Sequence, residues 1–223
     1  MENTFLSSLI CIFFIFVITV VLSQISHLIS PPKVIPPPRT FSYNYQFPEI
    51  VLKRWKAKYP HLSEAEYQLA QKSLLQFFEV LFNNKTSVAM VSEVADELWH
   101  EFILHTRAYC EFCEKIFGKY IHHNPTENNV EYDWRNKEIP NEFMNLYKFS
   151  LNSPFNIQSK VPLIFTIDEL LKIKGGYQFN MTNIQEQYNN IEKQKAKEIE
   201  EKKKKESSSC GSCNSSCSGC GGD

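Results

Sequence analysis

SEVADELWHEFILHTRAYCEFCEKIFGKYIHHNP, Ser92 to Pro125, decides the fold. It carries the longest amphipathic pattern of the chain, with two of its seven cysteines and four of its six histidines. Ser92 is an N-cap residue, and the apolar positions that follow recur at helical spacing. The pattern predicts one helix from Ser92 to Phe117, with Gly118 as its stop. On a wheel of 100° per residue, Ala95, Leu98, Trp99, Phe102, Tyr109, Cys113, Ile116 and Phe117 share a face, which is read as core.

Asp96 and His100 stand one turn apart off that face, a spacing that suits two metal ligands or a carboxylate-oriented imidazole. It suits a plain surface hydrogen bond as well. His100-Glu101-x-x-x-His105 is one residue too long for a zinc-protease helix, because i, i+5 turns the imidazoles about 140° apart. Cys110 and Cys113 followed by His122 and His123 form a Cys-x2-Cys-x8-His-His cluster of zinc-type ligands, although a lone cysteine is also an ordinary core residue. His100 and Cys113 lie about 20 Å apart on a straight helix. One ion reaches both only if the helix breaks, and a bend at Thr106–Tyr109 is one way.

Outward from this stretch, the fold class is mainly α: an N-terminal transmembrane helix, a small helical domain and a Cys-rich tail. Phe5–Leu22 is apolar and uncharged, and at about 1.5 Å per residue its length just spans a bilayer core. Residues 1–29 are read as an anchor or a signal segment, the latter cleaved near Ser23. Lys33, Arg39, Lys53 and Arg54 follow the run, so an anchored domain is expected to face the cytoplasm. Five prolines in residues 30–39 favour an extended spacer, and residues 30–46 are read as linker.

The helical domain is placed at residues 47–180. Ile50, Val51, Trp55 and Tyr59 open it. Ser63 with Glu66 makes a capping box ahead of the apolar stripe Tyr67, Ala70, Leu74, Phe77, Phe78, Leu81 and Phe82, which Asn83-Asn84 ends. Shorter helices are expected at Pro140–Leu151 and at Ile167–Lys174, the second capped by Thr166. A solvated, charge-alternating helix follows in residues 181–206. Residues 207–223 form a Cys/Gly/Ser tail in which Cys210, Cys213, Cys217 and Cys220 can wrap a soft or borderline ion.

The 24 basic and 25 acidic side chains nearly cancel, and no nucleic-acid partner is expected. The expected partners are a membrane, through residues 5–22, and a protein.

Asp96-x-x-Trp99-His100, Tyr109-x-x-Phe112-Cys113, Phe117-Gly118 and His122-His123-x-Pro125 together resemble the glycine-rich-domain-containing-protein-like family. Over residues 94–125 the resemblance implies a shared site drawn from Asp96, Trp99, His100, Tyr109, Cys113, Gly118 and His123, and it brings no activity. The candidate metal ligands are therefore Asp96, His100, Cys113 and His123 in the centre and the four tail cysteines, with zinc as the expected ion. A binding or adaptor module is the first functional reading. A metal-dependent hydrolase with Asp96 or Glu97 as base, a thiol enzyme using Cys113 and His123, and a purely structural domain are the alternatives.

Overall fold

The structure, a computed structural model, describes residues 15–20, 39–84, 86–123, 133–156 and 161–209. The chain divides into two units, Met1–Pro38 and Arg39–Asp223. In the first, residues 15–20 are helical and exposed. Among the described residues no helix is long and apolar enough to cross a membrane. The expected span at 5–22 lies mostly outside the described residues, as does the cysteine tail.

The second unit is an all-helical domain. Its helices are α1 (Glu49–Lys58), α2 (Glu64–Asn83), α3 (Glu93–Leu104), α4 (Thr106–Ile116), α5 (Asn141–Ser150), α6 (Leu163–Leu170) and α7 (Met181–Ser209). Helix α2 begins at the predicted capping box: the Ser63 hydroxyl accepts from Glu66 N, and the Glu66 carboxylate accepts from Ser63 N at 2.7 Å. It packs on α3, α5 and α6, and every residue from Ser73 to Val80 is buried. A helix enclosed on all sides must satisfy its polar groups internally. Gln76 donates to Asn156 Oδ1 at 2.7 Å and accepts from Ile164 N at 2.9 Å. Glu79 accepts from Tyr43 and Ser153.

The domain begins earlier than expected. Phe41 and Phe47 are buried and Tyr45 packs beside them, so residues 39–46 belong to the folded unit rather than to a linker. It also ends later. Ile184 in α7 is fully buried, Tyr188 and Ile191 lean on the core, and Tyr147 donates to Gln185. The first turns of the charged helix are therefore part of the domain, and residues 193–205 are exposed.

Helix α6 starts at Leu163, not at Ile167, and Thr166 is no cap: its hydroxyl turns back to Leu163 O at 3.2 Å. Pro162 presets the entry backbone, and Gln76 of α2 supplies an acceptor for the first turn. A cap from another helix has no local signature.

The predicted single helix from Ser92 to Phe117 is two helices. At His105 (φ −90°, ψ 64°) the backbone N–H turns to Phe102 O, and ring Nδ1 lies 2.9 Å from Glu101 O. A carbonyl only accepts, so Nδ1 carries the proton there. The imidazole thus replaces the backbone donor that Glu101 O loses, and the chain turns with no proline or glycine.

Candidate metal centre

Helix α3 presents the site, so its start must be fixed. Of its unpaired N–H groups, Glu93 N donates to Asp168 Oδ2 at 2.6 Å and Val94 N to Asp168 Oδ1 at 3.2 Å. Ala95 N donates to Ser92 Oγ, whose own proton goes to Asp168 Oδ1 at 2.8 Å. Tyr177 N adds a fourth donor to this carboxylate at 2.9 Å. Burial pushes the Asp168 carboxyl up from the usual carboxylate range, and the four donors pull it back.

On its outer side α3 is tied to α1. The Arg54 and Lys58 side chains both reach Glu101, at 2.8 and 3.0 Å, and Lys58 also pairs with Glu97. Burial opposes ionisation of Glu101, yet the two cations hold it below the usual carboxylate range.

In the first turn of α3, Asp96 meets two histidines. His123 Nε2 lies 2.7 Å from Asp96 Oδ1, and His100 Nδ1 lies 3.5 Å from Asp96 Oδ2. The two imidazoles are 4.4 Å apart between centroids. One donor atom from each of the three residues falls within 4.8 Å of the others. The His123 side chain is 7% exposed, whereas that of His100 is 41% exposed, so the cluster is walled on one side and wet on the other.

His123 arrives from a distant part of the chain by a specific route. Gly118, at φ +67°, ends α4 by donating to Cys113 O and Glu114 O. The segment beyond it is pinned by Tyr109, whose hydroxyl donates to Ile121 O at 2.6 Å and accepts from Trp99 Nε1 at 3.0 Å. Trp99 then abuts the His123 ring, centroid to centroid 4.3 Å. Tyr109→Phe should leave the Trp99 N–H and the Ile121 carbonyl without this partner and cost about 1–3 kcal/mol. Thermal unfolding checks this, and an unchanged midpoint would rule out the pin.

The remaining expected ligands are elsewhere. Cys113 is 1% exposed and sits with Tyr109 and the Ile121 backbone, outside the Asp96, His100 and His123 group. The helix does break, but the residue placed beside Asp96 and His100 is His123. Burial pushes the Cys113 thiol up, the opposite of what a nucleophilic thiolate needs. Cys110 is exposed, whereas Cys113 is buried. His105 caps α3, and Cys210, Cys213, Cys217 and Cys220 lie outside the described residues.

The start of α3 also concentrates negative charge. Burial, joined by the charges of Asp96, Asp168 and Glu97 and opposed by Lys58, pushes Glu93 up to about 7. A carboxyl raised from 4.5 favours the fold fully while protonated, and that contribution is lost as pH climbs through about 7. Glu93→Gln should therefore raise the unfolding midpoint at pH 8 by about 2–6 °C, after discounting for solvent screening. At pH 4.5 it should change little. An equal effect at both pH values would refute the charge argument.

Sequence comparison bears on the same region. A family description, UCP032817-like, matches residues 39–203. The chain belongs to the UCP032817-like family. The resemblance to the glycine-rich-domain-containing-protein-like family is thereby corrected. The motifs that suggested it, from Asp96 to His123, occupy only a small part of what UCP032817-like covers. That match opens at Arg39, where the compact unit also opens. UCP032817-like is an uncharacterised family, so membership brings no activity. No curated protein and no solved structure matches the chain.

Proposed function

We propose that this UCP032817-like domain binds one divalent transition-metal ion through Asp96, His100 and His123, with its remaining coordination positions open to water. The observation that carries the reading is the convergence of three donor atoms within 4.8 Å from two separate segments. Two imidazoles and a carboxylate suit zinc, and the same set suits ferrous iron. The surrounding carboxylates Glu93 and Glu97 favour a cation there.

The domain then acts as a metal-dependent binding module. We assign residues 5–22 the role of a membrane tether, on the strength of their uncharged apolar run. Washing membranes at high salt should leave the full chain bound and release a chain lacking residues 1–38. Release of both would end that assignment.

The wet side of the cluster supports a second reading, in which Asp96, His100 and His123 would hold a metal that supplies Lewis-acid chemistry for hydrolysis. Of the two bases expected from the sequence, Asp96 is one of the proposed ligands and Glu97 is paired with Lys58. The buried, raised Cys113 thiol argues against a thiol enzyme.

The test uses the full chain with Cys210, Cys213, Cys217 and Cys220 changed to serine, so that the tail does not compete. After chelation, titration with Co2+ should give one equivalent of bound ion with visible d–d absorption, displaced by Zn2+. No binding, or equal binding after Asp96→Asn together with His123→Ala, would overturn the reading.

A further inference from the structure

Beside Trp99 lies a cavity of about 360 Å3. Phe77, Val88, Met90 and Trp99 supply apolar wall, and His122 and Glu142 stand among its polar lining. Both of these polar residues are solvent-exposed, which places them at the mouth. The volume lies within the range of small-molecule sites, and Thr86 and Ser87 join His122 and Glu142 in a lining that mixes polar and apolar groups. The wall contains none of Asp96, His100 and His123, so this is a separate site from the proposed metal centre.

The mouth sets the charge of the occupant. Among the described residues no lysine or arginine lines the cavity. Glu142 has no ion pair or side-chain hydrogen bond among the described residues. A carboxylate held at the edge of such a cavity attracts a cation and repels an anion. Trp99 and Phe77 line the cavity, and an aromatic ring is the kind of group that attracts an ammonium group. The loop that forms one wall is fixed to α5, since Asn145 donates to Ser87 O at 3.1 Å.

We infer that this cavity binds a small primary amine, its apolar body against Trp99 and Met90 and its ammonium group beside Glu142. The site stands independently of the metal reading, and its test is run with chelator present.

Met90 is the reporter, because it is the only methionine among the described residues on the cavity wall. In the full chain carrying 13C-methyl methionine, phenethylamine should shift the Met90 methyl signal saturably and leave Met144 and Met181 in place. 3-Phenylpropanoate, of similar size and opposite charge, should bind about ten-fold more weakly. Glu142→Gln, on an exposed residue whose loss does not threaten the fold, should close most of that gap. Ala89→Phe, which fills the chamber, should abolish the shift. The inference is overturned by no saturable Met90 shift, by a shift shared with Met144 and Met181, or by an anion that binds as well as the amine.

Discussion

Asp168→Ala is expected to lower the stability of the domain by about 4 kcal/mol or more, one of the largest single-residue losses available to it. The carboxylate accepts from Ser92 Oγ, Glu93 N, Val94 N and Tyr177 N while itself only 3% exposed. Alanine leaves those four donors buried, and each unsatisfied group costs about 1–3 kcal/mol before relaxation. Water cannot readily take the vacated place, because Gly176 packs there so closely that even a Cβ on it would lie 2.8 Å from Asp168 Cβ. For a domain of this size the midpoint should fall by about 8–16 °C. Should the alanine variant fail to accumulate, Asp168→Asn supplies the graded test. It keeps one acceptor oxygen, turns an amide donor toward other donors, and should cost about 2 kcal/mol. If Asp168→Ala melts within about 3 °C of the parent chain, the carboxylate does not fix the start of α3.

Asp168 also marks what a sequence can and cannot tell about this site. Local signals were legible: Ser63 with Glu66 capped α2 as predicted, and the wheel of Ser92–Phe117 found the buried face, from Ala95 to Ile116. Those features depend on residues a few positions apart. The pairing of Asp96 with His100 was legible for the same reason. The Asp168 cap was not, because it reaches across 75 residues to Glu93. The break at His105 was equally hidden, since a histidine bonding its own helix carbonyl carries no breaker signature. His123 was nominated alongside Cys113, yet its position depends on Gly118 turning the chain and on Tyr109 holding Ile121. A wheel drawn for one straight helix could not contain that return. Cys113 fell on the core face of the same wheel, and packing is where the structure leaves it.

His123→Ala is expected to reduce metal affinity by at least about 100-fold and to abolish the stabilisation that metal confers. At an ion concentration 100-fold above its dissociation constant, one site adds about 2.7 kcal/mol to the folded state. That corresponds to a rise of about 5–11 °C in the unfolding midpoint. The rise should appear in the chain whose tail cysteines are serine and vanish in His123→Ala. The side chain is 7% exposed and wedged between Trp99 and His100, so its removal also leaves a cavity and lowers the metal-free midpoint. The two effects separate because only the first depends on metal concentration. Asp96→Asn keeps the volume and removes the charge, so it should lose the metal-dependent rise with a smaller change in the metal-free midpoint. His100→Ala, at the wet edge, should weaken binding without the packing loss. A metal-dependent rise that survives all three substitutions would place the ion elsewhere in the chain. No rise in the parent would leave Asp96, His100 and His123 as a hydrogen-bonded junction that closes α3 against the segment returning from α4.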